Sequence, residues 1–220
     1  IEPGTPDSIA SLYKKLPSLS DVVLAERVLT AEDFAWILVN FINVNFIGEP
    51  SNTIFRRSAI QDIGFFSIDM KQIVDLELWA RLGCRYGVVS IPEVLSAFRV
   101  HPSSASSKNF LTSYFKSTAI DVLILLHDYC FSKDYRTLRN VAQRSNISLP
   151  RLLDSYLLVI DKEISKLEAA GIGTSAVESE IFRPLGECCL NRPVLWRLLR
   201  GRLPVRAAII SGLFSELVNK

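Results

Sequence analysis

The sequence predicts a mixed α/β region over residues 1–101, followed by an all-helical region over residues 110–220. Up to residue 101, short runs of β-branched and apolar residues alternate with segments of helical periodicity, which is typical of a mixed sheet with helices. From Phe110 onward, apolar residues recur at helical spacing. A serine-rich stretch separates the two regions, and we therefore place a linker at residues 102–109.

The first region is divided by its turn residues and by its apolar patterns. β-branched and alternating apolar residues predict strands at residues 52–55, 86–91 and 94–100. Capping residues and helical spacing predict helices at residues 9–16, 34–41 and 59–63, and one that begins at Asp75. Gly64 and Gly83 are suited to end the last two of these helices.

The second region reads as five or six helical segments. They cover residues 111–129, 135–144, 150–167, 178–190 and 194–217. Glycine, proline and asparagine mark the breaks between them. This pattern predicts a helical domain without a fixed repeat.

Composition limits the class of protein. The chain has 220 residues, of which 49% are hydrophobic and 22% charged, and this suits a globular fold. A net charge of +2, without a base-reading or phosphate-tracking motif, argues against a nucleic-acid partner. No apolar run reaches ~18 residues, so we predict no transmembrane helix.

The first residue is Ile1 and the single methionine is Met70, so we read the sequence as a fragment or a processed product.

The cysteines indicate a reducing compartment. Cys188 and Cys189 are adjacent, which is too close for an ordinary disulfide, and no CxxC pair occurs. The four cysteines also lack the spacing of a metal site. We therefore expect reduced, buried thiols in a cytoplasmic protein.

Asp75 and His101 are the candidates for chemistry. A carboxylate at a helix start is favoured in its charged form by the exposed backbone N–H groups, and it can serve as a general base. Asp75 can equally be a helix-capping residue. A lone histidine such as His101 is more often structural, although a neutral imidazole is also a metal ligand.

The order of motifs between residues 47 and 101 resembles the second half of a family 2 glycosyltransferase catalytic domain, of the GT-A type. Asp75, Trp79 and Arg81 are similar to that family's Asp-x-x-Leu-Trp-x-Arg helix. The run Phe-Arg-Val-His at residues 98–101 is similar to its Tyr-Arg-x-His ending. One departure is Val74, because the family usually has an acidic residue before the aspartate.

The resemblance implies an incomplete GT-A-like mixed sheet and an inverting sugar transfer. The donor would be a nucleotide-sugar and the acceptor a hydroxyl of a glycan or a lipid-linked molecule, in cell-surface polysaccharide or glycan biosynthesis. Asp75 would be the base, and His101 would contact a divalent cation, Mg or Mn, or the diphosphate. The implied substrate-binding residues are Gly48, Glu49, Pro50, Ser51, Asn52, Trp79 and Arg99. No Asp-x-Asp metal motif occurs, so we expect this chain alone to be catalytically incomplete.

Two other classes of function remain open. The chain can be a non-catalytic binding or assembly module derived from a glycosyltransferase. A metal-dependent hydrolase built on Asp75 and His101 would need a further ligand at a suitable spacing, and the sequence shows none.

The C-terminal stretch 192–217 is basic and amphipathic. Its arginines are Arg192, Arg197, Arg200, Arg202 and Arg206, and they alternate with aliphatic residues and Trp196. Such a stretch predicts peripheral contact with the inner face of the membrane, or a packed helical hairpin with solvated arginines.

Overall fold

The structure is a computed structural model, and it describes residues 1–23, 27–104, 106–108 and 118–218. The helices of the first region are α1 (Asp7–Lys15), α2 (Leu19–Val22), α3 (Ala31–Asn40), α4 (Arg57–Ile63) and α5 (Val74–Tyr86). Those of the second are α6 (Thr118–Phe131), α7 (Arg136–Arg144), α8 (Leu149–Ala169), α9 (Thr174–Val177), α10 (Arg183–Leu190), α11 (Pro193–Arg202) and α12 (Pro204–Val218). A π-helical turn, Glu178–Phe182, joins α9 to α10.

The prediction of a mixed α/β fold is wrong. Within the residues that the structure describes, the sheet consists of β1 (Arg27–Leu29) and β2 (Val88–Ser90). These strands are antiparallel, with Val28 opposite Val89. The described part of the chain is therefore mostly helical and contains no mixed GT-A-like sheet. Of the predicted strands, the one at residues 86–91 is present in shortened form as β2.

The segment at residues 94–100 shows why its alternating pattern was misleading. Its Val94 and Leu95 side chains are exposed, so the pattern does not mark a buried sheet face. At its end, the carbonyl oxygen of Val100 accepts a hydrogen bond of 2.9 Å from the backbone N–H of Glu2. The N-terminal turn, and not a neighbouring strand, uses this backbone group. Residues 53–55 likewise have no strand beside them in the described part of the chain, and strand propensity depends on such neighbours.

Helix α3 is fixed by its cap and by close packing on α5. Thr30 and Asp33 form a reciprocal capping box, with the backbone N–H of Asp33 donating to Thr30 Oγ1 over 3.1 Å. Phe34 lies against Gly83, where an added Cβ would lie 2.3 Å from the Phe34 ring. Gly83 is thus a close-packing position inside α5. The prediction that it ends this helix is wrong, because α5 continues to Gly87, whose φ is +77°.

The predicted helices of the second region are confirmed where the structure describes them. Residues 111–117 of the first one lie outside the described residues. The last predicted helix is two helices, α11 and α12, because the chain turns at Leu203 and Pro204 begins the next helix.

The two regions share one hydrophobic core. Phe34 and Leu76 from the first region belong to the same buried cluster as Leu123 and Leu157 from the second. A smaller cluster of Ile60, Leu78 and Trp79 lies between α4 and α5. The division of the chain at residues 102–109 stays a prediction, and residues 105 and 109 of that linker are outside the described residues. Among the helices that the structure describes, none has the length and apolar character needed to cross a membrane.

Candidate functional site

Asp75 lies in the first turn of α5 with its carboxylate held from two sides. The amide nitrogen of Asn45 donates to Asp75 Oδ2 over 3.1 Å, and the backbone N–H of Leu76 donates to Oδ1 over 2.8 Å. Burial raises the pKa of the Asp75 carboxyl, and the hydrogen bonds offset only part of that effect. A carboxylate whose pKa is moved toward neutrality is a better proton acceptor than a free aspartate.

Asn45 also ties the Gly48 turn to this carboxylate. Its amide oxygen accepts a hydrogen bond of 3.0 Å from the backbone N–H of Gly48. The indole Nε1 of Trp79 donates to the carbonyl oxygen of Gly48 over 3.2 Å. Gly48 has a φ of +105°, and a Cβ there would lie 2.6 Å from the amide nitrogen of Asn52. The structure therefore brings together Asp75, Trp79 and the Gly48 turn, which the sequence placed in one site.

Glu49 and Tyr13 add two further titratable groups. Burial raises the pKa of Glu49, and the charge of Asp75 raises it further. Burial also raises the pKa of Tyr13, and the charges of both carboxylates add to this effect while a hydrogen bond from Ser106 opposes it. Tyr13 packs on Phe98 with ring centroids 5.4 Å apart. Sequence reasoning missed Tyr13, because nothing local to α1 signals a contact so distant in the chain.

Trp79 is buried, and the exposed aromatic surface beside it belongs to neighbouring residues. Trp79 is 4% exposed and belongs to the small cluster between α4 and α5. Phe55 and Phe66 pack against it with centroid distances of 5.7 and 6.4 Å, and both are partly exposed. A ligand could reach the exposed faces of these two rings. Substrate binding by Trp79 itself stays a prediction.

Three more of the residues predicted to bind substrate form a short exposed turn. Pro50, Ser51 and Asn52 make one turn of 3₁₀-helix. Asn52 Oδ1 accepts a hydrogen bond from Ser96 Oγ, which joins the turn to the 94–100 segment. Their contact with substrate stays a prediction.

Arg99 and His101 are occupied by local contacts. Arg99 is exposed and pairs with Glu2, with 3.5 Å between Nε and Oε1. His101 Nδ1 shares a hydrogen bond of 2.9 Å with Ser103 Oγ. The described residues contain no group of three or more His, Cys, Asp or Glu side chains placed to hold a metal. A single histidine supplies too few ligands for Mg or Mn, so the described residues do not fit the cation.

Arg81, the last residue of the Asp-x-x-Leu-Trp-x-Arg motif, has a structural role. It forms a buried ion pair with Glu77, in which Nε and Oε1 are 2.5 Å apart. Its terminal nitrogens donate to the carbonyl oxygens of Ile63 and Phe65, each over 2.6 Å. One side chain thus fixes the turn that follows α4.

Asp121 on α6 holds the loop that leads into Asp75. Its carboxylate accepts hydrogen bonds from three consecutive backbone N–H groups, at 3.0 Å from Lys71, 2.6 Å from Gln72 and 3.2 Å from Ile73. Sequence reasoning also missed this residue. The available signal was an acidic residue within an apolar helical run, since aspartate is almost never fully buried unless it is paired.

Most of the C-terminal arginines are paired within the protein. Arg192 is buried, with its guanidinium 2.7 Å from Asp69 and 3.1 Å from Asp128. The other pairs join α11 and α12 to α8: Arg202 with Asp154, and Arg206 with Asp161 and Glu168. Membrane contact through residues 192–217 stays a prediction, and it now depends on the exposed Arg197 and Arg200.

Comparison with known proteins gives little further information. No family model matches the chain, and neither does any solved structure. A stretch of 55 residues, 25% of the chain, is 44% identical to a protein of Mycobacterium tuberculosis (strain CDC 1551 / Oshkosh) described as "Uncharacterized protein MT1568". This stretch spans 17% of the length of that relative. The relative's description assigns no activity.

Proposed function

We propose that this chain carries the acceptor side of a glycosyltransferase site in which Asp75 is the general base. The observation that carries the proposal is the Asn45 side chain, which holds the Asp75 carboxylate against the Gly48 turn. The carbonyl oxygen of Gly48 in that turn accepts a hydrogen bond from the indole of Trp79. The motif order of the sequence and the hydrogen bonds that hold the Asp75 carboxylate both support this choice of base.

The proposed reaction uses this carboxylate as the proton acceptor. Asp75 accepts a hydrogen bond from an acceptor hydroxyl and takes its proton as the hydroxyl oxygen bonds to the anomeric carbon of a nucleotide-sugar. The bond from that carbon to the diphosphate breaks, and the nucleoside diphosphate leaves with the bonding electron pair. Attack opposite the leaving group inverts the anomeric configuration. The pKa of Asp75, raised by burial, makes the carboxylate a stronger base for this step.

The surroundings suit a carbohydrate acceptor. Phe55 and Phe66 provide partly exposed aromatic faces beside the site, and the apolar face of a sugar ring packs on such surfaces. Glu49 and Tyr13 provide polar groups for neighbouring hydroxyls. We place the product in cell-surface polysaccharide or glycan biosynthesis, as the sequence resemblance implies.

The test is a transfer assay on the protein as its gene encodes it, with a panel of nucleotide-sugars and saccharide acceptors. Asp75→Asn should lower kcat by about 10²–10⁴-fold, the usual contribution of a general base, and leave the acceptor KM within about threefold. Asp62→Asn is the matched control, because Asp62 is an exposed carboxylate on α4. It should leave kcat within about twofold, since exposed ion pairs contribute little.

Two outcomes would reject this assignment. If Asp75→Asn keeps kcat within a few-fold of the unaltered protein, Asp75 is not the base. If the unaltered protein turns over no donor, and saccharides quench the indole fluorescence of the unaltered protein and of Asp75→Asn equally, the chain is a non-catalytic binding module.

A further inference from the structure

Two loops beside the candidate site expose an unusual number of large apolar side chains. We call them the apolar rim, and it consists of Ile54, Phe55, Phe65, Phe66 and Ile68. Ile54 is 102% exposed and Ile68 is 98% exposed. Side chains so fully exposed protrude from the fold and do not line a groove. Single exposed apolar residues are ordinary on protein surfaces, but a group of five requires an explanation.

The two loops form one surface and are held in place. Phe55 from the first loop and Phe66 from the second both pack on Trp79, with centroids 5.7 and 6.4 Å from its ring. Arg81 fixes the start of the second loop through the carbonyl oxygens of Ile63 and Phe65. The fold therefore holds both loops of the rim in place through these contacts.

The rim is flanked by two arginines and by paired acidic residues. Arg56 and Arg57 follow directly after Phe55, are exposed, and have no ion-pair partner among the described residues. The nearby acidic residues are engaged elsewhere. Asp69 pairs with Arg192, and Asp62 accepts a hydrogen bond from Tyr86 and lies 3.7 Å from Arg85.

We propose that the protruding residues of the apolar rim, Ile54, Phe65 and Ile68, insert into an anionic phospholipid surface, with Arg56 and Arg57 against the lipid headgroups. Phe55 and Phe66 stay packed on Trp79. Protruding aliphatic tips suit the acyl boundary, aromatic rings suit the headgroup level, and unpaired arginines suit anionic lipids. A protein partner would need a matching recess for each isolated tip, whereas a bilayer accepts them without one. The membrane contact is thereby assigned to the first region and not to residues 192–217.

This docking would place the Asp75 site at the membrane surface. Trp79 packs against Phe55 of the rim and also donates a hydrogen bond to the Gly48 turn of the site. An acceptor carried on a lipid would then reach the site without leaving the bilayer. The docking itself does not rest on the proposed function, since it requires neither Asp75 nor a sugar donor.

The test is flotation of the full chain with vesicles of phosphatidylcholine, with and without phosphatidylglycerol. The unaltered protein should bind the anionic vesicles and bind the neutral ones more weakly. Replacing Ile54 and Ile68 together by serine should weaken binding to both by at least about tenfold. Replacing Arg56 and Arg57 by glutamine should weaken binding to the anionic vesicles by about fivefold for each arginine.

Two control variants distinguish binding through the rim from binding through the C-terminal helices. Arg197→Gln with Arg200→Gln removes the exposed arginines of α11, and Val205→Ser removes an exposed apolar side chain of α12. Both should bind as the unaltered protein does. The proposal is overturned if the unaltered protein does not float, or if the α11 variant loses binding while the rim variants keep it. It is also overturned if the serine variant changes only the oligomer size on gel filtration, because the rim is then a contact between copies of the chain.

Discussion

Asn45 holds Asp75 and Gly48 with one amide group. Its nitrogen lies 3.1 Å from Asp75 Oδ2, and its oxygen lies 3.0 Å from the backbone nitrogen of Gly48. The first contact lowers the pKa of Asp75 against the larger, opposing effect of burial. In the proposed reaction, Asn45 is therefore a positioning residue, which sets both the location of the carboxylate and the pH at which it can accept a proton.

Replacing Asn45 by alanine should impair transfer and change its pH dependence. Loss of the hydrogen bond frees the carboxylate to move, and a displacement near 1 Å costs about 10²-fold in rate. It also raises the pKa of Asp75, so the acid limb of the kcat/KM profile should move to higher pH. The measurement is kcat/KM across the acid range, with Asn40→Ala as control because the Asn40 amide donates to the Trp36 carbonyl on the surface. A slower enzyme with an unmoved acid limb would mean that Asn45 supports the fold alone.

The sequence grouped several residues of the candidate site, because motifs on adjacent elements are recognisable in order. Asp75, Trp79 and the Gly48 turn were placed together, and the structure joins them by hydrogen bonds. Asn45 and Tyr13 were not found. Their partners depend on how α1 and the turn after α3 fold back on α5, which no local pattern encodes.

The fold was predicted unevenly for a related reason. Helices were recognised because their backbone hydrogen bonds are local and their apolar spacing reports one buried face. The strands at residues 52–55 and 94–100 were predicted from composition, but a strand also needs a neighbour. Within the described residues no strand lies beside these segments, and the side chains of Ile54 and Val94 are exposed.

The titration of Asp75 should make folding less favourable as the pH rises. Burial raises its pKa in the folded protein, while an unfolded aspartate titrates near ~3.9. Between these two pKa values the folded state binds more protons, so the free energy of unfolding falls with rising pH. Asp75→Asn removes this loss and should be more stable than the unaltered protein at neutral pH. The gain should shrink as the pH falls to the unfolded pKa.

Urea unfolding at a series of pH values measures this effect, and two further variants test its cause. Glu49→Gln should also raise the free energy of unfolding at neutral pH, because burial and the Asp75 charge raise the pKa of Glu49. Asp33→Asn should show the opposite sign. Hydrogen bonds from Thr30 lower the pKa of Asp33, so its carboxylate stabilises the fold at neutral pH and that contribution is lost on acidification. An Asp75→Asn protein that is less stable at neutral pH would show that the fold favours the charged carboxylate.

Asp121 lies on α6, and replacing it by alanine should disturb the loop that precedes α5. Asp121 is 2% exposed, and its removal leaves the backbone N–H groups of Lys71, Gln72 and Ile73 without their acceptor. A charged hydrogen-bond acceptor of this kind contributes about 1.5–3 kcal/mol, so we expect a loss of about 3 kcal/mol in the free energy of unfolding. Asp121→Asn keeps one acceptor oxygen and removes a buried charge, whose cost is seen in the pKa of Asp121 that burial raises, so it should lose less.

Hydrogen exchange identifies where that loss arises. The amides of residues 71–73 should exchange faster in Asp121→Ala, and the transfer rate should fall because this loop leads directly into Asp75. Asp161→Ala is the control, since it removes only a partly exposed partner of Arg206 and should cost less than about 1 kcal/mol. Unchanged exchange at residues 71–73 would mean that the loop keeps its position without α6. Faster exchange confined to these amides, with the core still protected, would show that α6 positions the base through the backbone that precedes it.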